Sequence, residues 1–337
     1  TIYLMQLVIN SKGAYIRKRG ECFEITIDEK KTEIAASKVQ SIVVTTAVLI
    51  STDAILLANE NNIDIVFLDH FGNPFSRIWH SKFGSTAFIR RRQLELSMGG
   101  EGLEIVKGWV REKIENQIAL LEKLSRTREA KRSEIEQFIL KIAESNSKLI
   151  NINAGSIDEV RGTIMAFEGA ASRIYFEALS FIIPEQYKFD GRSRNPAHDY
   201  FNAFLNYGYG FLYSRVERAC VIAGLDPYIG FLHTDNYGKK SFVFDIIEIF
   251  RTLVDEVVIK LFSKRMVKND MCREIKNGLT LEKEGKQLLI SEINKEMEET
   301  VRYRNRNIKK CNIIEFECHR IANSFIGDNK DVDMVDL

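Results

Sequence analysis

The sequence lacks the features that mark several classes of protein. Its 337 residues contain only 4 prolines, which disfavours a proline-rich linker protein. The longest apolar stretches, such as residues 42–50, are far shorter than the ~18 residues that a membrane span requires. No basic region precedes an apolar core at the N-terminus. We therefore expect neither a membrane span nor a secretory signal.

Cysteine is scarce and scattered. The 5 cysteines are odd in number, and none forms a Cys-x-x-Cys pair. This usage predicts reduced thiols in a cytoplasmic protein and disfavours a disulfide framework or a structural zinc site.

An excess of charge and the common nucleotide motifs are also missing. Lys and Arg number 48 against 47 Asp and Glu, so a uniformly basic nucleic-acid-binding chain is excluded and any such binding must use local patches. Neither a phosphate-binding GxxxxGK[ST] loop, a GxGxxG turn, a GxSxG elbow nor an HExxH pair occurs.

The hydrophobic pattern that is present changes once along the chain. Up to about residue 84 it is typical of strands, and after that it is typical of long amphipathic helices. The sequence therefore predicts an α+β protein with a small β-rich N-terminal domain (1–84) and a larger all-α domain (85–326). Residues 327–337 carry four aspartates and little apolar content, so we expect a disordered acidic tail.

The pattern also predicts individual elements. We expect strands over residues 2–9, 21–27, 39–45, 63–68 and 75–79, with a short helix over residues 52–61. We expect longer helices over residues 88–97, 103–124, 131–149, 156–183, 196–224, 241–264, 280–301 and 312–325.

Glu168 is the first candidate functional residue. At ~100° per residue it falls on the apolar stripe of its helix, between Ile164 and Tyr175. A carboxylate in such a stripe is costly unless it is paired, hydrogen-bonded or bound to a metal. The pattern alone leaves two interpretations open: a functional acid, or a buried ion pair with an Arg or Lys elsewhere in the chain.

Asp245 and Glu248 form the second candidate group, because residues three apart share a helix face. An ordinary solvated acidic face is one interpretation. The other includes His233, which lies in a polar turn 12 residues before Asp245 and could complete a site of carboxylates and one imidazole. Such a donor set suits Mn²⁺ or Mg²⁺ better than structural zinc.

Three basic clusters could provide local nucleic-acid contacts in a neutral chain, although each could equally be a solvated face. The first contains Arg77, His80, Lys82, Arg90, Arg91 and Arg92. The second contains Lys264, Arg265, Lys268, Arg273 and Lys276. The third contains Arg302, Tyr303, Arg304, Arg306, Lys309 and Lys310.

Four segments in the second half of the chain carry a family resemblance. They are Arg192-Ser-Arg-Asn-Pro-Ala-His-Asp-Tyr-Phe-Asn202, Asn206-Tyr-Gly-Tyr-Gly-Phe-Leu-Tyr213, Gly224-Leu-Asp-Pro-Tyr-Ile-Gly-Phe-Leu-His233 and Ser241-Phe-Val-Phe-Asp-Ile-Ile-Glu-Ile-Phe-Arg251. In this order and spacing they closely resemble the CRISPR-associated adaptation integrase, the universal catalytic subunit of spacer acquisition. The resemblance covers the whole chain in outline and implies that the helical domain is catalytic.

The resemblance implies roles for single residues. Glu168 resembles the first metal-binding acid of the family, His233 its metal-binding histidine, and Glu248 its third ligand. Asp245 matches a second acid of that motif, with a supporting or a direct metal role. Further residues that we expect near DNA, from the resemblance or from the basic clusters, are Tyr213, Arg251, Arg192, Arg194, Arg302, Arg304 and Arg306.

The implied reaction is joining of the 3′-hydroxyl ends of short DNA fragments to the repeat of a CRISPR array, or the reverse cutting of branched DNA. The implied cofactor is Mg²⁺ or Mn²⁺. The implied partners are double-stranded and branched DNA, a second copy in a homodimer, and a small adaptation subunit in a heteromeric complex. Two alternatives remain: a catalytically silent DNA-binding scaffold of the same fold, and a metallohydrolase that acts on small molecules.

Overall fold

The computed structural model describes residues 5–69, 72, 74–79, 87–194, 196–234 and 238–327. His80, Lys82 and residues 328–337 of the predicted acidic tail lie outside this range. The strands are β1 (Met5–Ile9), β2 (Tyr15–Arg19), β3 (Cys22–Ile27), β4 (Lys30–Ala35), β5 (Val39–Val44), β6 (Leu49–Ile50), β7 (Asp64–Leu68), β8 (Pro74–Ile78), β9 (Cys272–Ile275), β10 (Gly278–Leu281), β11 (Thr300–Tyr303) and β12 (Arg306–Lys309). The helices are α1 (Thr52–Glu60), α2 (Ala87–Met98), α3 (Gly100–Arg126), α4 (Arg132–Ile150), α5 (Ile157–Ile182), α6 (Tyr200–Ile222), α7 (Ser241–Ser263), α8 (Lys283–Met297) and α9 (Lys310–Phe325).

The N-terminal region consists of two four-stranded sheets and α1. One sheet has the order β1-β5-β7-β8, in which the first three strands are parallel and β8 is antiparallel. The other has the order β4-β3-β2-β6. A hydrophobic cluster that includes Ile16, Phe23, Ile42 and Leu57 joins both sheets to α1.

Strands β2 and β4 were missed in the sequence because charged residues dominate them. Their charges are paired across the sheet: Arg17 on β2 lies opposite Glu24 on β3, with a nitrogen–oxygen distance of 2.7 Å, and Arg19 on β2 pairs with Glu24 and also with Glu33 on β4. The hydrogen bond from Arg17, against the opposing effect of burial, holds the pKa of Glu24 below its usual range. Cross-strand pairing therefore stabilises strands that apolar alternation alone does not reveal.

The helical region has α6 and α7 at its centre. Both helices are apolar around most of their circumference, as expected of helices that are buried on all sides. Gly72, between β7 and β8, approaches α6 very closely. A Cβ at Gly210 of α6 would lie 1.9 Å from the carbonyl oxygen of Gly72. Helix α3 packs against both α5 and α7, and this arrangement positions the candidate site.

Two hairpins interrupt the helical region, β9–β10 and β11–β12. The helix expected over residues 280–301 is accordingly shorter and spans Lys283–Met297. A β-rich N-terminal region followed by a mostly helical region nevertheless confirms the α+β class. The boundary at residue 84 stays a prediction, since residues 80–86 lie outside the described range. Among the described helices, none has the length and apolarity to cross a membrane.

Candidate active site

Asp245 anchors the loop that carries His233. Its side chain is only 1% exposed. One of its oxygens accepts hydrogen bonds from the backbone N–H groups of Phe231 and Leu232 at 2.6 and 3.2 Å, and the other accepts the N–H of His233 at 2.9 Å. The interpretation of Asp245 as part of a solvated acidic face is therefore wrong, because the carboxylate is buried and fixes three consecutive residues of the loop.

The His233 ring is oriented by the same carboxylate. Its Nδ1 lies 2.8 Å from Oδ1 of Asp245. Since an ionised carboxylate only accepts hydrogen bonds, Nδ1 donates and Nε2 is left for another partner. Burial alone would lower the pKa of His233, but the hydrogen bond and charge of Asp245, with the charges of Glu248 and Glu168, raise it above its ordinary value.

Two further features hold the His233 loop. A Cβ at Gly230 would lie 2.4 Å from the carbonyl oxygen of His233, so the tight turn at this position requires glycine. Arg161 of α5 donates to the carbonyl oxygens of Phe231, at 2.7 Å, and of Leu232. The loop is thus bound from α7 on one side and from α5 on the other.

Glu168 and Glu248 meet at a lysine. Lys113 of α3 forms ion pairs with Glu168 of α5 and, at 2.6 Å, with Glu248 of α7. The Lys113 side chain is 8% exposed. The buried ion pair that the sequence left open as an interpretation of Glu168 is therefore present. It includes a second glutamate that was itself a candidate ligand.

Arg251 is the other cation beside Glu248. Its Nη2 lies 2.7 Å from Oε1 of Glu248, and its guanidinium lies 4.6 Å from the ring centroid of Tyr209. Burial would raise the pKa of Glu248, but the charges of Arg251 and Lys113 outweigh it and lower this pKa to about 2. Glu248 is consequently ionised throughout the physiological range.

The donor chemistry of this group fits a hard divalent cation. Glu168, Glu248 and the imidazole of His233 line one small cavity of about 20 Å³. The carboxylate behind the histidine is the arrangement that orients metal-ligating imidazoles. Within the part of the chain that the structure describes, Oε2 of Glu248 accepts no well-aligned hydrogen bond, although the Lys113 nitrogen lies 2.6 Å away.

The same group is not arranged around a metal position. Among the described residues, no three His, Cys, Asp or Glu side chains converge in a way that could hold an ion. The nitrogen of Lys113 contacts both glutamates instead. The metal-ligand roles of Glu168, His233 and Glu248 stay predictions.

A cleft opens beside the site. A space of about 670 Å³ has five cations and no carboxylate among the described residues that line it. Four of the residues that we expected near DNA belong to this lining: Arg192, Arg194, Tyr213 and Arg251. Arg194 is exposed and also lines an adjoining cavity of about 280 Å³, in which His233 and Glu248 lie. The cleft thus connects a cationic surface to the acidic group, a combination that suits an extended anionic ligand.

Two of these cleft residues have additional partners. Arg192 donates to the side-chain oxygens of Asn202 and Asn206 at 2.8 and 2.6 Å. Burial lowers the pKa of Arg192 to about 10. The ring of Tyr213 lies 5.2 Å from that of Phe244. These contacts hold both side chains in fixed positions along the cleft wall.

The third basic cluster forms the β11–β12 hairpin and the start of α9, where acids surround it. Arg304 pairs with Glu317 at 2.5 Å and with Glu112 at 3.2 Å. Lys310 pairs with Glu296 and Glu299. Arg302 is exposed, and the Arg306 guanidinium lies 5.5 Å from the ring of Phe316. In the first cluster, Arg77 pairs with Asp64 and with Glu217, and its side chain is 12% exposed.

Sequence reasoning missed Lys113, Arg161 and Lys239, the last of which lines the cleft. Lys113 carried a usable signal. The buried residues of α3 recur every three or four positions, and Lys113 occupies one of these positions next to Ile114. A lysine within a helical apolar stripe indicates a buried partner, just as Glu168 does.

Comparison with known proteins identifies relatives along almost the whole chain. The family model described as CRISPR associated protein Cas1 matches residues 7–295. The CRISPR-associated endonuclease Cas1 1 of Archaeoglobus fulgidus is 32% identical over 340 residues, which cover 97% of this chain and 98% of the relative. The CRISPR-associated protein Cas1 3 of Methanobrevibacter ruminantium is 31% identical over 285 residues, covering 82% of this chain and 84% of the relative.

Solved structures show the same architecture. A Cas1 protein from Thermotoga maritima superposes with a TM-score of 0.80 at 21% identity, over 98% of this chain and 99% of that one. A casposase bound to an integration product has a TM-score of 0.80 and 21% identity, over 99% of this chain and 96% of that one. At this level of identity, the two structures show a shared fold.

Proposed function

Since the chain belongs to the Cas1 family of CRISPR-associated proteins, we propose that it is a divalent-metal-dependent DNA integrase and endonuclease. Its family membership confirms the resemblance inferred from residues 192–251. We propose that it joins the 3′-hydroxyl ends of short DNA fragments into the repeat of a CRISPR array, and that it cuts branched DNA by the reverse step.

One observation carries the proposal. Asp245 fixes the His233 ring and its loop beside Glu168 and Glu248, at the edge of a cleft lined by cations. This is a rigid group of acids and one imidazole next to a surface suited to a phosphate backbone. The casposase of similar fold, solved with its integration product, is consistent with the same class of reaction.

The side chains divide the work. Arg194, Lys239 and Arg251 bind and orient phosphate groups along the cleft. Glu168, His233 and Glu248 would hold Mg²⁺ or Mn²⁺, and Asp245 holds the His233 ring through Nδ1, which would leave Nε2 for the ion. The bound ion supplies stabilisation of the charge that develops on the scissile phosphate, and orientation of the attacking 3′-hydroxyl.

Partners are part of the proposal. We propose that the chain acts as a homodimer with a small adaptation subunit on double-stranded or branched DNA. Among structures of similar fold, one is a Cas6-RT-Cas1–Cas2 complex, with a TM-score of 0.78 at 20% identity over 97% of this chain and 35% of that one. Cationic clefts from several chains on one DNA path would reconcile a net charge of +1 per chain with DNA binding.

Strand transfer tests the proposal. A labelled short duplex with free 3′-hydroxyls is incubated with a plasmid that carries a repeat, in Mn²⁺ or in chelator, with and without the adaptation subunit. We expect joined product only with metal, and a loss of at least about 100-fold in His233→Ala. The matched control is His319→Ala on α9, away from the cleft.

The other outcomes separate the alternatives. DNA binding with neither joining nor cutting, in the presence of metal and partner, would favour the catalytically silent scaffold. Hydrolysis of small phosphoesters without salt-dependent DNA affinity would favour the small-molecule metallohydrolase. Joining that persists in chelator would overturn the metal site.

A further inference from the structure

We propose that Lys113 is the shared counter-ion of Glu168 and Glu248, and that a divalent cation that binds these glutamates displaces it. The inference rests on the proposed function, because Glu168 and Glu248 are metal ligands only within that proposal. Lys113 lies on α3, whereas the two glutamates lie on α5 and α7.

The contacts of Lys113 carry the first step. Its single nitrogen pairs with Glu168 from α5 and with Glu248 from α7, so one ammonium joins three helices. The side chains of Lys113, Glu168 and Glu248 are 8%, 21% and 13% exposed. Two carboxylates at this depth repel one another unless a cation lies between them. Lys113 therefore allows the ligand group to fold before any metal arrives.

The net charge of the site also favours exchange over the binding of a second cation. Apart from Lys113, the ion-pair partners that the described residues give Glu168, Asp245 and Glu248 are Arg251 and His233. Three carboxylates and one arginine leave two negative charges when His233 is neutral. One divalent cation neutralises that charge, whereas a divalent cation added beside Lys113 would leave the group positive. A site that retained both cations would also place them in mutual repulsion at close range.

The small volume at the site also favours exchange over the binding of a second cation. The cavity shared by Lys113, Glu168, His233 and Glu248 measures about 20 Å³, room for about one water-sized sphere. A cation bound to Oε1 of Glu168 and Oε2 of Glu248 competes with the ammonium for the same two oxygens, and the cavity has no room for the waters that such an ion retains. Lysine suits this exchange because its charge sits at the end of a flexible four-carbon chain, unlike the rigid fork of arginine.

Manganese affinity tests the exchange directly, without DNA and without an activity readout. Mn²⁺ is titrated into wild type and Lys113→Met, and free Mn²⁺ is followed by electron paramagnetic resonance. Because the neutral variant has no cation to displace, we expect it to bind Mn²⁺ at least about tenfold more tightly than wild type. The matched control is Lys123→Met, on the same helix, whose lysine pairs with Glu256 of α7 outside the site. We expect its affinity to stay within about twofold of wild type.

The outcomes separate this inference from the proposed function. Equal or weaker binding by Lys113→Met, with clear binding by wild type, would overturn the counter-ion and leave the metal site intact. Binding by neither protein, or binding that survives Glu168→Gln together with His233→Ala, would overturn the metal site itself.

Thermal unfolding keeps the inference testable if the variant folds poorly. Lys113→Met leaves Glu168 and Glu248 without their shared cation, so we expect its melting temperature to fall without metal and to rise more steeply with Mn²⁺ than that of wild type. If the variant unfolds completely without metal, refolding in Mn²⁺ is expected to recover it. A variant that Mn²⁺ neither stabilises nor recovers would contradict the exchange.

Discussion

Two groups of cations and carboxylates in the helical region, one beside the cleft and one at the β11–β12 hairpin, differ in how their charges are balanced. At the hairpin, Arg304 and Lys310 are each matched by two glutamates, and the positive charge is consumed locally. Beside the cleft, Arg251 pairs with Glu248 and Lys240 with Glu217, whereas Arg194 and Lys239 form no ion pair within the part of the chain that the structure describes. A run of basic residues in the sequence therefore does not reveal where positive charge remains available to a ligand.

The largest expected difference between the two places is in catalysis. Glu248→Gln removes a proposed metal ligand, and we expect strand transfer to fall by at least about 100-fold because the ion loses a charged donor. Glu256→Gln on the same helix is the matched control, and Glu317→Gln is the equivalent change at the hairpin. Both are expected to keep activity per folded molecule within about threefold. A comparable loss in Glu317→Gln would show that the hairpin takes part in the reaction.

Asp255 is a buried acid whose partners are hydroxyl groups instead of cations. Asp255 on α7 accepts hydrogen bonds from Tyr175 at 2.8 Å and Tyr209 at 2.5 Å, and burial raises its pKa to about 6 despite them. The folded-state pKa lies above the ordinary value of 3.8, so this group contributes stability that is fully present below pH 3.8 and lost as the pH rises through 6. Glu248, whose pKa is lowered by two cations, behaves in the opposite way.

Asp255→Asn removes this dependence. We expect the free energy of unfolding of the variant, relative to wild type, to rise by on the order of 2 kcal/mol between pH 4.5 and pH 7.5. Urea denaturation at the two pH values measures it, and contributions from all other titrating groups cancel in the difference. A constant difference across this range would show that Asp255 is ionised when folded at both pH values.

How much of this could be predicted depended on whether the signal was local. The strands of the first sheet, the long helices and the family motifs all show in short stretches of sequence. Glu168 was recognised as an exception to its own apolar stripe, but its partner Lys113 lies 55 residues earlier on another helix. Periodicity on one helix cannot identify which helices will pack together, so the pairing itself was beyond prediction.

The missed hairpins show a different limit. The two residues between β9 and β10 are Lys276 and Asn277. Asn277 has a φ of 67° and the following Gly278 pairs with Ile275, so the Asn and Gly provide a turn signal. It was overlooked because the flanking strands are only four residues long and adjoin a clear helical pattern. In β11–β12 the turn residues are Arg304 and Asn305. The run of arginines predicts a ligand surface because the glutamate partners of Arg304 lie elsewhere in the sequence.

A smaller effect is expected in the stability of the hairpin. Glu317 is completely buried and accepts hydrogen bonds from Arg304 and Arg320, whose side chains are 40% and 38% exposed. Glu317→Gln removes the carboxylate that both arginines share, although Arg304 keeps its pair with Glu112 and solvent screens both guanidinium groups. We therefore expect a loss of about 1–2 kcal/mol in the free energy of unfolding. Urea denaturation measures it, and Glu298→Gln, at a half-exposed pair with Lys309, is the control with an expected loss below about 1 kcal/mol.

The smallest expected effect is a change in DNA affinity, and it tests which surface contacts DNA. Arg194 is exposed at the junction of the cleft and the cavity that holds His233, so we expect Arg194→Ala to weaken duplex binding about three- to tenfold and to lower the salt dependence by about one phosphate contact. Arg304→Ala is the informative comparison, because the sequence predicted DNA contact there and the structure shows two glutamate partners. Since its charge is already balanced, we expect affinity per folded molecule to change less than about twofold. Fluorescence anisotropy across a salt series measures both variants. Equal losses would mean that DNA displaces the glutamates and follows a path from the cleft to the hairpin.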